Sequence, residues 1–421
     1  MNSGYSGDFT GGLTAAWQAA SYNPGMATAP DICIRGAGIV GRALALGLAR
    51  EKLRVALVQA THSTSKADVR AYSLNASAKT LLEDLRCWPE ASGPHPAVTP
   101  VTGMLVHGDA GGTLHFGSSE EGVNELNWMV DVPVLEERLA TAVQFQPLIE
   151  VVQAPVAAPL TIVCEGRASQ TRAELGVHFE VQHYEQHAVA ARLRCEQAHG
   201  GVARQWFRFG EVPGLGQPQA EILALLPLGG ERGQDIALVW SVHPLRAQAL
   251  LALDHSAFAH ELETACSLAL GRMQLTGERA AWPLQLARAA RWIGSMPGAS
   301  GQSFALAGDA AHAMHPLAGQ GLNVGLGDVA ELLRVIRTRE FWRPLSDLRL
   351  LRRYERARQA DVLAMSCVTD GLQKLFSFNS PPWSRLRNWG LSGFDRSGPL
   401  KHWMARQAIG SSSASSHPNT P

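Results

Sequence analysis

Hydrophobic positions change period twice along this chain, and the changes divide it into an α/β part, a β part and a second α/β part. Ile32-Cys33-Ile34 is a short apolar run leading straight into Gly36-Ala37-Gly38-Ile39-Val40-Gly41. Val40, Leu44 and Leu48 then fall at helical spacing, and Val55-Ala56-Leu57-Val58 is a second apolar run. This predicts a strand–turn–helix–strand unit of about thirty residues. Further on, Val189, Ala191, Leu193 and Cys195 alternate with Ala190, Arg192, Arg194 and Glu196. A period of two suits a half-exposed antiparallel strand, because successive side chains leave a pleated strand on opposite faces. Val202–Phe209, Ile222–Leu228 and Asp235–His243 predict more strands, and Met104–His107 with Thr113–Phe116 predicts a hairpin. After the apolar run Ser303–Ala307 the pattern returns to helix: Leu322, Leu326, Val329, Leu333 and Ile336 step along one face. Leu348–Ile409 reads as helical, with a break at Ser380-Pro381-Pro382.

Composition narrows the function classes. The 421 residues carry 37 basic and 37 acidic side chains, so no net field draws a polyanion, and nucleic acid is not a predicted partner. With 46% hydrophobic and 18% charged residues the chain can bury a large core. No run of apolar residues is long enough for a transmembrane helix. The first basic residue is Arg35, so neither a secretory leader nor an Arg-rich transit peptide is predicted. Six scattered cysteines without a CxxC pair predict buried thiols in a reducing, cytoplasmic setting. Residues 1–29 and 411–421 read as disordered tails.

Gly36-x-Gly38-x-x-Gly41 lies between a predicted strand and a predicted helix, the context in which this spacing binds a dinucleotide. Gly36 permits the tight turn, Gly38 lets backbone approach a pyrophosphate, and Gly41 lets helix and strand pack closely. The free N–H groups of the helix start, at Ile39 and Val40, then face the phosphates. The second strand should end in an acid holding a ribose hydroxyl. Gln59 stands there, and a neutral amide makes that contact weaker by about 1 kcal/mol.

A second constellation follows Ser303–Ala307: Gly308-Asp309-Ala310-Ala311-His312, then His315-Pro316-Leu317-Ala318-Gly319-Gln320-Gly321-Leu322-Asn323. Asp309, His312 and His315 have ligand-like spacing, but Pro316 breaks the helix and no further ligand lies near, so no metal is predicted. Asp309 reads either as a helix N-cap or as an acceptor for a polyol chain. Gly319 and Gly321 bend the backbone, and a helix starting near Leu322 aims N–H groups at a flavin ring that gains negative charge on reduction. Two nucleotide-sized loops far apart in sequence point to FAD stretched across one domain.

These blocks, with Asp68-Val69-Arg70-Ala71-Tyr72-Ser73-Leu74, Trp282-Pro283-Leu284 and Tyr354-Glu355-Arg356-Ala357-Arg358, closely resemble the UbiH-type ubiquinone-biosynthesis hydroxylases. These are FAD-dependent monooxygenases of the p-hydroxybenzoate hydroxylase fold. The resemblance spans roughly residues 30–410. It implies non-covalent FAD reduced by NAD(P)H, O2 added at flavin C4a, and oxygen transfer to an electron-rich ring, with a polyprenylated phenol as substrate. It places Arg70 against the cofactor, Asp309 on the ribityl chain, and Pro316 to Asn323 along the isoalloxazine, with Pro316 and Gly321 nearest the chemistry. The family's Asp-Gly pair, which serves both FAD and NAD(P)H, maps onto Glu165-Gly166, with Ser169 and Arg172 at the expected offsets. The chain departs from the family at Gln59, at Glu165, and in a shorter stretch between Leu139 and Thr161. A catalytically weak scaffold of a quinone-biosynthesis assembly, or a dehydrogenase or oxidase of the same fold, remain the alternatives.

The expected fold is α/β, α+β overall: a Rossmann-like FAD-binding domain (30–95, 119–180 and 286–345) interrupted by a mostly antiparallel β-sheet substrate domain (96–118 and 181–285). A C-terminal helical region (346–410) completes it. Trp206, Phe207, Phe209, Leu225, Leu226, Pro227 and Leu228 are expected to lie over the substrate ring. Gly371 to Gly410 has six basic residues against one acid, interleaved with aromatics, which predicts peripheral contact with an anionic inner-membrane face or with partner enzymes.

Overall fold

The structure, a computed structural model, describes residues 29–59, 71–90, 96–109, 111–313 and 321–377, with side chains to residue 363. Its first sheet runs, edge to edge, Ile293–Ser295, Ser303–Leu306, Leu160–Val163, Ile32–Arg35, Val55–Val58, Ile149–Val152. All neighbours are parallel except the first pair. The strands read as near-continuous apolar runs because both faces of a parallel sheet are covered. The helices Ile39–Arg50, Val132–Gln144 and Gly321–Arg337 contribute Leu44, Leu48, Leu135, Leu139, Val329 and Leu332 to the core that the sheet shares. Parallel register brings Arg35, Val163 and Leu306 level with one another. The turns that follow them, at Gly36, Cys164-Glu165 and Gly308, therefore sit side by side at one edge.

The second sheet is built on the predicted alternation. Phe179–Cys195 lies between Ala280–Ala289 and Asp235–Val242, and Gln219–Pro227, Val202–Gly210, Gly103–His107 and Thr113–Gly117 continue outward. Every contact is antiparallel except that between Val202–Gly210 and Gly103–His107. Val189, Ala191, Leu193, Leu223, Leu238 and Trp240 face the helices Pro244–Ala252 and His255–Ala265. The opposite face presents Ala224, Leu226 and Ala237 to Val101 and Met129. Those two residues belong to a small third sheet of Ala71–Leu74, Asn127–Asp131 and Val98–Val101. Residues 96–118 are thus shared between two sheets. The two-residue strand His312–Ala313 pairs with Ala287-Arg288 and ties the large sheet to the strand ends of the first.

The long helix Leu348–Ser377 starts near the chain position where the sequence places it. Residues 378–421, including most of the basic, aromatic stretch, lie outside the described residues. Leu350, Leu351 and Tyr354 of this helix are buried, and Tyr354 Oη donates to Leu306 O at 2.8 Å. Removing that hydroxyl leaves a buried carbonyl without its donor, which costs about 1–3 kcal/mol. Tyr354→Phe should lower the urea midpoint accordingly without changing the slope of the transition; an unaltered midpoint would mean the bond contributes nothing.

Candidate functional site

Glycine decides how closely the turns at this edge approach one another. Gly36 has φ +113°, and a Cβ there would stand 2.5 Å from Cys164 O. A Cβ on Gly41 would stand 1.9 Å from Gly36 O, so the helix can begin only because both positions lack one. At Gly38, by contrast, a Cβ would meet no atom of the described residues within 4 Å. The flank of the helix start is open there, and Gly38, its N-cap, offers no side chain to satisfy the first-turn N–H groups. Ile39 is buried beneath the turn. Val40 fills the hole between Gly308 and Gly325: their Cβ atoms would lie 3.4 and 2.9 Å from its methyl groups. One valine thereby fastens the first loop to the second.

The second loop turns at Gly308, with φ +62°, into a single 3-10 turn Gly308–Ala310. Asp309 leaves that turn with half its side chain exposed, its Oδ2 3.9 Å from Arg167 Nε. Beneath it Asp328 is fully buried and accepts from Gly308 N at 2.8 Å, His312 Nε2 at 2.6 Å and Arg358 Nε at 2.7 Å. Arg358 also donates to Val324 O at 3.1 Å, and the His312 ring lies 4.9 Å from that of Trp292. Burial alone would push the Asp328 carboxyl up, but His312 and Arg358 outweigh it and hold it below the usual carboxylate range. At the start of the helix Gly321–Arg337, a Cβ on Gly321 would meet no atom of the described residues within 4 Å, and Leu322 is buried. Asn323 Nδ2 donates to Ser73 O at 2.7 Å, and its Oδ1 accepts from Asn75 N at 3.0 Å, anchoring Ala71–Leu74. Gln59 is exposed at the end of its strand, where its N–H donates to Val152 O at 2.9 Å. The crevice outside the carboxyl ends of a parallel sheet, at the point where strand order reverses, is where such folds bind nucleotides. Open glycine flanks, uncapped N–H groups and a half-exposed acid fit FAD.

A family profile described as an FAD binding domain matches residues 149–368. The chain belongs to this FAD-binding family. Over 407 residues it is 29% identical to the ubiquinone hydroxylase UbiL of Rhodospirillum rubrum, covering 90% of this chain and 89% of that one. It is equally 29% identical to 3-demethoxyubiquinol 3-hydroxylase of Escherichia coli, over 90% of this chain and 98% of the relative. In fold it resembles p-nitrophenol 4-monooxygenase PnpA of Pseudomonas putida, with TM-score 0.67 at 15% identity, covering 92% of this chain and all of that one. The relatives it resembles along nearly its whole length are thus ubiquinone-biosynthesis hydroxylases.

In this flavoprotein the Glu165-Gly166 turn is held from within. Glu165 accepts from Ser169 Oγ at 2.8 Å, Thr171 N at 3.1 Å and Arg35 Nε at 3.2 Å, and from Thr171 Oγ1. Burial would raise its pKa, yet the Thr171 and Ser169 bonds win and keep it below the usual range. Gly166 takes φ +84° with open space beside it. Arg172 joins this turn to the next by donating to Ala310 O at 3.1 Å and Arg167 O at 2.7 Å. Arg70, Pro316 and Gly319 lie outside the described residues.

The apolar surface expected over the substrate ring is divided by the strand pleat. Trp206 and Leu225 pack under the two helices, Leu226 and Leu228 pack on the opposite face with Val101 and Met129, and Phe207 joins Val106, Leu114 and Ile222. Consecutive strand residues cannot share a face. Sequence reasoning also passed over Asp328, although an acid between Leu326 and Val329 on a buried helical face was a visible signal.

Because the folded Asp328 pKa is depressed, its contribution to stability is complete above the unfolded value of about 3.9 and disappears as pH falls through the folded value. Asp328→Asn should cost about 3–5 kcal/mol at pH 7, as breaking a buried ion pair does. The variant should also lose stability less steeply than wild type below about pH 4. Denaturant titrations across pH measure both, and parallel pH curves for the two proteins would contradict the charge network.

Proposed function

We propose that this chain is a UbiH-type monooxygenase that hydroxylates the aromatic ring of a polyprenylated phenol in ubiquinone biosynthesis, with NAD(P)H as reductant and O2 as oxidant. The observation that carries the reading is the meeting of the Gly36–Gly41 and Gly308–Ala310 turns through Val40, at the carboxyl ends of one parallel sheet. The functions of the two relatives, a ubiquinone hydroxylase and a demethoxyubiquinol hydroxylase, support the substrate class. In this reading the N–H groups of Ile39 and Val40 receive the pyrophosphate, Gln59 a ribose hydroxyl and Asp309 the ribityl chain. By the family resemblance residues 316–323 would border the ring system, with Pro316 and Gly321 nearest the reacting atoms; of these, 316–320 lie outside the described residues. Bound and reduced, FAD supplies the electrons that activate O2 for transfer of one oxygen atom to an electron-rich ring.

The chain's own part is to orient and to exclude water. Asp328 and Asn323 fix the two ends of the second loop, and the pairing of His312–Ala313 with Ala287-Arg288 ties the large sheet to it. No helix among the described residues is long and apolar enough to cross a membrane. A substrate with a polyprenyl tail resides in a bilayer, which supports peripheral contact at the inner-membrane face, or membership of a biosynthetic complex, through the basic aromatic stretch 371–410. That stretch lies almost entirely outside the described residues.

Purified wild type should be yellow with FAD, and Asp309→Ala should release the flavin. Given a polyprenylated phenol, NAD(P)H and 18O2, the product should gain one labelled oxygen, read by mass spectrometry. Oxidation of NAD(P)H without label in any product would indicate a dehydrogenase or oxidase instead.

A further inference from the structure

Arg42 stands four residues after Gly38, on the same face of the helix Ile39–Arg50, and its backbone N–H donates to Gly38 O at 2.9 Å. Helical side chains lean toward the N-terminus, so from this position a long side chain can reach the flank of Gly38, where no described residue stands within 4 Å of a Cβ. The guanidinium is half-buried. Among the described residues it makes one hydrogen bond, from Nη1 to Glu136 O at 3.4 Å, and no ion pair. The Glu136 carboxylate acts on it electrostatically without reaching ion-pair distance. Burial pulls the Arg42 pKa down, and Glu136 does not fully oppose it.

Other arginines around the crevice are committed. Arg35 pairs with Glu165, Arg358 with Asp328, and Arg172 spans two backbone carbonyls. Arg42 instead keeps most of its five N–H donors uncommitted among the described residues, in a place where holding a bare cation is unfavourable. What would satisfy it is an anion with paired oxygens. A pyrophosphate carries two charges, whereas a helix N-terminus offers about half a charge in return. A guanidinium matches phosphate oxygens two at a time.

We propose that Arg42 is a cofactor-binding residue whose guanidinium neutralises the FAD pyrophosphate where that group crosses the open flank of Gly38. The assignment rests on the FAD reading of the crevice. It gives the chain a charged contact on the nucleotide half of the cofactor, where Gln59 brings only a neutral amide.

The test uses full-length protein purified with its flavin. FAD dissociation is followed by the recovery of flavin fluorescence on dilution, and ADP and adenosine are titrated as competitors for rebinding. Arg42→Ala should weaken FAD about 10- to 100-fold, the range of a charge-assisted contact. It should weaken ADP by a similar factor and leave adenosine unchanged. Arg42→Lys should recover part of the loss. Should the alanine variant fail to fold, Arg42→Gln carries the same comparison. Unchanged FAD affinity overturns the proposal, as does an equal loss for ADP and adenosine, which would mark Arg42 as a helix-packing residue. Wild type that is colourless and cannot be reconstituted would instead overturn the FAD reading, so the two failures are distinguishable.

Discussion

The crevice edge is held by one buried carboxylate. Asp328 accepts at once from the backbone of the second loop, from His312 at the start of the large sheet, and from Arg358 on the C-terminal helix. A carboxylate is costly to bury alone, and it is stable here because each oxygen is met by a donor and two of the donors are cationic side chains when charged. The consequence is geometric. The stretch 308–312, the helix that carries Asp328 and the helix that carries Arg358 thus meet at one acceptor, so none can shift without unpairing the others. Trp292 and Tyr354 pack around this hub, and Tyr354 reaches back to the strand that carries the loop.

Upon that anchor the glycines set distances. Gly36 and Gly41 bring the first turn against the helix, and Gly308 and Gly325 make room for Val40 between the two loops. Gly38 and Gly321 have no such neighbour among the described residues; their missing side chains leave space there instead of closing it. The same residue type thus packs the turns together at four positions and leaves the site open at two others. Glu165 and Arg172 extend the arrangement sideways, one closing its own turn and the other reaching Ala310. The proposed cofactor site is therefore a row of three turns, each braced by the next, at the end of a sheet whose core keeps the strands in register.

Much of this was legible in the residues. Apolar runs such as Val55–Val58 are strands buried on both faces, and the alternation from Val189 correctly placed its odd positions on one covered face. Both glycine loops were placed by spacing and by their strand–helix context. The third sheet was not legible: its strands are four or five residues long, one contains Pro100, and their partners are separated by chain that shows no pairing signal. The Asp328 network was hidden for a related reason. Periodicity reports which residues are buried, but not which polar group answers another across distant segments. Glu165 was read by analogy as a cofactor contact; that its oxygens also accept from Ser169, Thr171 and Arg35 is visible only in three dimensions.

The central claim of the proposed function is that a single FAD spans both loops. Hydrogen–deuterium exchange on the full-length protein, with FAD bound and after its removal, addresses that claim directly. The account predicts that FAD slows amide exchange in residues 36–42 and in residues 308–312 together, with the same dependence on FAD concentration. Protection of one loop with the other unchanged would contradict it.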